Sequence, residues 1–188
     1  MTNSPAPPTR DRLLDAAAEL FYREGIHVGV DALCRTAGVS KRSMYQLFDS
    51  KDEVVAASLE RRAAEYQAAL LPPAGDDRPP REQILHVFRR LEESSGQAAY
   101  RGCPYVATAV ETKSPDHPAS RVARRHKGEL TAFFRRHAKA AGAKNPTLLA
   151  RQLTIAFDGS SAWALVQATP LDGLAVTTAT ALLDAAGV

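Results

Sequence analysis

Side chains able to grip a phosphate and read the edge of a base crowd into one short stretch, Ser40-Lys41-Arg42-Ser43-Met44-Tyr45-Gln46. Cations, hydroxyls and a phenol suit phosphate oxygens, and a side-chain amide suits the donors and acceptors on base edges. Arg35 precedes the stretch and Lys51 follows it. From Arg35 to Lys51 there are four basic residues and one acid, Asp49, whereas Asp11 to Glu24 carries four acids against two arginines. The net charge of +3 over 188 residues is too small to mark a nucleic-acid binder, so the argument rests on where the charge sits.

Other chemistry is thinly represented. A helical hydrolase or transferase would have to draw on Cys103, Asp116, His117 or Asp158, yet the chain lacks a GxSxG elbow, a phosphate-cradling glycine loop and a dinucleotide fingerprint. It reads as a non-enzyme without a cofactor. Histidines 27, 86, 117, 126 and 137 form no HExxH motif, and Cys34 and Cys103 are far apart, so neither a metal site nor a disulfide framework is expected. Arg124-Arg125-His126 returns eleven residues later as Arg135-Arg136-His137, about three helical turns on, which reads as a solvated basic face.

The elements that must position these residues are helical. The segment Asn3 to Pro8, with three prolines in six residues, reads as a disordered arm. Leu13, Leu14, Ala17, Leu20 and Phe21 then recur at three- and four-residue steps, predicting an amphipathic helix capped by Thr9 and ended by Gly25. Short helices fit Val30 to Ala37 and Ser40 to Phe48, and a long fourth helix follows Ser50. The stretch Leu71 to Pro80, with four prolines and a glycine, must break it. Further helices fit Glu82 to Ser95, Pro104 to Thr112, Ala119 to Ala141, Pro146 to Ala168 and Leu171 to Ala186. In the last of these, the β-branched residues of Val176 to Thr180 oppose the helical reading. No apolar run reaches the roughly 20 residues of a bilayer span, and the N-terminus lacks an apolar signal core. A cytoplasmic protein with no membrane partner is expected.

Two short helices joined by a glycine-containing turn form a unit that lays its second helix in the major groove of DNA. Here Leu33 and Ala37 face inward, Gly38 relieves the turn, Val39 packs beneath it and Ser40 caps the next helix. Met44, Leu47 and Phe48 should then point to the core, leaving Lys41, Arg42, Ser43, Tyr45 and Gln46 for DNA.

These residues resemble the TetR family of transcriptional regulators. The likeness runs over residues 10 to 55, through Leu13 to Phe21, Glu24-Gly25, Ala37 to Lys41, Met44 to Phe48 and Ser50 to Glu53. It implies an all-α protein with two domains: a three-helix helix-turn-helix over 9–55 and a larger helical domain over 56–188 for effector binding and dimerisation. It also implies a homodimer on a pseudo-palindromic double-stranded operator, repression, and release by a small molecule. By that resemblance Tyr45 and Lys51 meet phosphates, and Lys41, Arg42, Ser43 and Gln46 meet bases or adjacent phosphates. Many members place a hydroxyl at the start of the second helix, where this chain has Val28-Gly29-Val30. That departure is the one support for an alternative, a ligand-binding or dimerisation module without DNA affinity.

In the larger domain, Arg101 to Ala109 resembles the Gly-Cys start of a helix that faces the ligand cavity in one subgroup of the family. Cys103, Tyr105, Thr108, Phe134, Phe157 and Trp163 are the candidate ligand contacts, with plain core packing as the competing role. Cys103 reads more readily as a buried small side chain than as a redox sensor. A stripe of small residues, Ala156, Gly159, Ser160 and Ala164, with alanines 179, 181, 185 and 186, lies on the two helices that the resemblance assigns to a four-helix dimer interface.

Overall fold

The computed structural model describes residues 7–188, so residues 3 to 6 of the expected arm lie outside the described residues. Ten helices and no strand occur among them: α1 (Thr9–Glu24), α2 (Val30–Ala37), α3 (Lys41–Leu47), α4 (Lys51–Arg61), α5 (Ala63–Leu70), α6 (Pro80–Ser95), α7 (Pro104–Thr112), α8 (Pro118–Ala140), α9 (Pro146–Gln167) and α10 (Leu174–Ala185).

The chain divides into two compact units. The first runs up to Ala63 and takes in Ala107–Ala123; the second holds Ala64–Val106 and Arg124–Val188. A single cut after residue 55, as the sequence suggests, misses that exchange. The reason lies in the core of the first unit, where Ala119 is fully buried in the same cluster as Leu13, Leu33, Met44 and Val54.

In the first unit α1 packs against α2, α3 and α4. Each fully buried leucine or methionine in this core is worth about 1.5–3 kcal/mol, so Leu13, Leu33 and Met44 set how the short helices dock. The helix ends are closed locally. Gly38 follows α2 with φ +63°, and the amides of Gly38 and Val39 donate to the carbonyls of Arg35 (3.2 Å) and Cys34 (3.0 Å), which stops the helix in one turn. Ser40 Oγ accepts from the Ser43 amide at 3.0 Å and Ser50 Oγ from the Glu53 amide at 3.2 Å. Thr9 does not cap α1: it is the first helical residue, and the capping position falls on Pro8, which makes no side-chain bond.

The second unit is built on α6, α9 and α10, which pack on one another around Phe88, Phe134, Phe157 and Leu153. Proline opens α6 and α9, where the missing N–H costs nothing, and Asn145 Oδ1 caps α9 by accepting from the Leu148 amide at 3.0 Å. The helix expected to be long after Ser50 breaks at Arg62, whose ψ of 2° interrupts the ladder between α4 and α5. The β-branched run Val176 to Thr180 is helical despite its propensity. Ala175, Ala179 and Leu183 are buried on one face of α10, and Thr178 Oγ1 donates to the Leu174 carbonyl at 2.8 Å. No helix among the described residues is long and apolar enough to cross a membrane.

Gly38 has open space where a Cβ would sit, so its requirement is conformational alone. Gly38→Ala should lower stability by about 1–2 kcal/mol, and Gly38→Asn by less, as read from urea unfolding. An unmoved midpoint in Gly38→Ala would show that the turn does not need a left-handed residue.

Candidate nucleic-acid interface and interior cavity

Helix α3 has seven residues, and one of them, Met44, is buried. Burying Met44 against Leu33 and Cys34 leaves the rest of the helix turned outward: Lys41, Arg42, Tyr45 and Gln46 are exposed, Tyr45 by 52%. Leu47 was expected in the core and is not there; it is 39% exposed, because Phe48, extended beyond the helix end, fills the inward position. Ser40 is held by capping, and its Oγ lies 2.8 Å from Ser43 Oγ, so both hydroxyls are partly committed inside the turn. Lys41 Nζ pairs with Asp31 at 2.7 Å; both side chains are well exposed, which keeps the pair weak. Arg35 is exposed on α2.

Lys51 differs from the sequence expectation in what holds it. Its Nζ donates to the carbonyls of Ile26 (2.7 Å) and Val28 (3.1 Å), tying the loop between α1 and α2 to the start of α4. An ammonium has three donors, so these two bonds do not exhaust it. The same loop is held from α7: Glu111 Oε2 accepts from the Ile26 amide at 2.9 Å. Gly25 is required there by its φ of +89°; a Cβ would lie 2.9 Å from Glu111 Oε2, so the flexible end of Glu111 would also have to shift. Arg12 completes the frame by donating from Nη2 to the Gly38 carbonyl at 3.1 Å. The roles of Arg12, Lys51 and Glu111 were not visible in the sequence, since each side chain meets a backbone atom 23 to 85 residues away.

The second unit contains a cavity of about 300 Å³ between α5, the segment around Cys103, α8 and α9. Of the six candidate ligand contacts, Cys103, Tyr105 and Phe157 line it. The other three do not. Phe134 is fully buried and stacked on Phe88 at 5.8 Å, Thr108 is buried in the first unit, and Trp163 is 39% exposed on α9. Tyr105 stacks on His126 (4.7 Å) and meets the edge of Tyr66 (5.4 Å), while the Cys103 amide donates to Ser161 Oγ at 2.8 Å. Burial raises the Tyr66 and Tyr105 phenols well above their ordinary range, so both remain neutral hydrogen-bonding groups.

Two residues considered for catalysis have structural partners. Asp158 pairs with Lys127, whose Nζ also sits 4.6 Å from the centre of the Phe157 ring, and burial raises the Asp158 carboxyl. His117 caps α8, its Nδ1 accepting from the Ala119 amide at 3.1 Å. Among the described residues no group of three or more histidine, cysteine, aspartate or glutamate side chains is placed to hold a metal ion.

The family model for bacterial regulatory proteins of the tetR family matches residues 13–58, which contain the whole of this framed turn and helix. A TetR-type transcriptional regulator from Streptomyces avermitilis MA-4680, solved by crystallography, is 56% identical with a TM-score of 0.94, covering 97% of this chain and 100% of that one. This chain belongs to the TetR family. Reduced NemR from Escherichia coli shares the fold of this TetR-family chain at 22% identity, with a TM-score of 0.76 and 95% and 97% of the two chains covered. The HTH-type regulator TtgW of Pseudomonas putida is 35% identical over 78 residues, 41% of this chain. SrpR of Pseudomonas putida is 35% identical over a stretch of the same length. The chain spans 58% and 37% of the length of these two curated relatives.

Lys51→Met should leave the Ile26 and Val28 carbonyls without their donor and cost about 1–3 kcal/mol of stability, measured by urea unfolding of the full chain. A midpoint equal to that of the wild type would remove Lys51 from the frame.

Proposed function

We propose that this TetR-family protein is a dimeric one-component transcriptional repressor of the cytoplasm. In this reading it grips a pseudo-palindromic operator with α2 and α3 and lets go when a small molecule fills the cavity of the second unit. The observation that carries it is the outward face of α3, where Arg42, Tyr45 and Gln46 project from a helix capped at one end by Ser40 and docked through Met44. Gln46 is the base reader. Tyr45, Arg42, Lys41 and the third donor of Lys51 hold phosphates, and Arg35 and Ser43 supply contacts at the edge of the groove. Gly29 precedes α2 without a side-chain cap, so its open backbone stands where many relatives offer a hydroxyl.

The dimer surface in this proposal shares Gly159 with the small-residue stripe but is otherwise built from larger apolar residues and Ala162. Ala164 and Ala179 are buried within the chain, so they serve its own packing. The exposed apolar stripe on α9 is Leu148, Ile155, Gly159, Ala162 and Val166, at steps of seven, four, three and four. Ile155 is 72% and Val166 78% exposed, with Leu174 uncovered at the start of α10. A second copy of these two helices would complete a four-helix seam and place two recognition helices about 34–36 Å apart, one turn of DNA.

Selection of binding sites from random DNA with the full-length protein, followed by retention on a salt gradient, tests the reading. It should yield an inverted repeat whose binding weakens steeply with salt. Gln46→Ala should relax preference at one base position by about 1–3 kcal/mol, and Arg42→Ala should weaken all sequences alike while lowering the salt slope by about one unit. Equal losses on every sequence for Gln46→Ala would take base reading away from it. Ile155→Glu should give a monomer by light scattering with operator affinity lost; a dimer would move the interface elsewhere.

A further inference from the structure

The cavity of the second unit has aromatic walls and a one-sided distribution of available charge. Tyr66, Tyr105, His126, Phe133 and Phe157 supply its rings. Such surfaces favour flat ring systems, which stack or meet the ring edges with centroids about 4.5–7 Å apart. At about 300 Å³ it lies at the lower end of small-molecule sites, roughly 300–1,000 Å³, which suits a molecule of one or two rings.

The charged groups lining the cavity are not equivalent. Glu129 is committed: its Oε2 accepts from Gln67 Nε2 at 2.7 Å and lies 3.0 Å from His126 Nδ1. Lys127 is neutralised by Asp158 and packed over Phe157. Arg136 is different. It lines the cavity from the exposed side of α8, its guanidinium carbon lies 5.9 Å from the centre of the Phe133 ring, and it has no carboxylate partner among the described residues. A guanidinium offers a planar pair of donors that fits a carboxylate with two parallel hydrogen bonds. A cation entering here would meet Arg136 and find the Glu129 carboxylate already taken.

We infer that the cavity binds a small planar aromatic acid, its ring between Tyr105 and Phe133 and its carboxylate on Arg136 at the mouth. Arg136 is then the residue that determines ligand charge, while the ring walls determine shape. This assignment rests on the reading of the cavity as the effector site, and it adds the chemical class of the effector.

Calorimetric titration of the full-length protein with three naphthalene probes separates the possibilities: 1-naphthoate, neutral 1-naphthalenemethanol and the 1-naphthylmethylammonium cation. The expected order is the acid at least ten-fold tighter than the alcohol, with the cation weakest. Arg136→Gln, at an exposed position that disturbs no core, should erase the preference for the acid and leave the alcohol unchanged. Tyr105→Leu should weaken all three. The assignment is overturned if the cation binds best, if the preference for the acid survives Arg136→Gln, or if none of the probes binds at millimolar concentration. DNA retention, measured separately with and without 1-naphthoate, reports on the regulator reading. Charge-selective binding without release of DNA would sink effector release and leave the ligand class standing.

Discussion

A helix of seven residues cannot hold itself together in water, because the cost of nucleation is spread over too few hydrogen bonds. The recognition helix α3 is of this kind, and the first unit answers to that constraint. Its inward anchor is Met44, fully buried among Leu33, Cys34 and the apolar face of α1. Its start is fixed by Ser40 and by the left-handed Gly38, and its end by the extended Phe48. With so little of the helix spent on packing, most of its side chains lie outside the core. The same economy explains why Leu47 faces solvent: a short helix has room for one deep anchor, and Phe48 takes the second inward place from outside the helix.

The loop between α1 and α2 depends on the same principle from the other side. A loop beside a DNA-binding surface carries backbone groups that must be satisfied without covering the surface itself. Glu111 takes the Ile26 amide and Lys51 takes the Ile26 and Val28 carbonyls, so the loop is held from α7 and α4 rather than by its own residues. Together with the burial of Ala119, this bond between Glu111 and Ile26 ties a chain segment 85 residues further on to the first unit. It also gives Lys51 a structural duty alongside any contact with phosphate.

In the second unit the packing of α6, α9 and α10 consumes Phe88, Phe134 and Leu153, and leaves a second set of rings around a space instead of within the core. Phe133 and Phe134 show the division: neighbours in sequence, one lining the cavity and the other sealed against Phe88. The charged groups sort in the same way, since Lys127 and Glu129 are matched inside the unit while Arg136 lines the cavity from the exposed side of α8.

Helix existence and most helix limits were legible in the sequence, because apolar periodicity, prolines at helix starts and glycines at helix ends act over a few residues. The outward-facing set was legible too: Lys41, Arg42, Tyr45 and Gln46 are exposed once Met44 is turned inward. The break at Arg62 was hidden because no proline or glycine marks it. Periodicity gave the small-residue stripe a face but not which neighbour covers it; of its members, Ala164 and Ala179 pack within the chain, while Gly159, Ala181 and Ala185 stay exposed. Of the candidate ligand contacts, Cys103, Tyr105 and Phe157 reach the cavity, and Phe134, Thr108 and Trp163 do not. An aromatic or hydroxyl residue has the same local signal whether it lines a space or fills one. Sequence alone therefore determined the helices and the chemistry they carry outward. Only tertiary packing decided which backbone atoms Lys51 and Glu111 would hold, which rings would enclose a cavity, and that Arg136 would line it from the exposed side of α8 with no carboxylate partner among the described residues, because each of those outcomes joins residues that no local period connects.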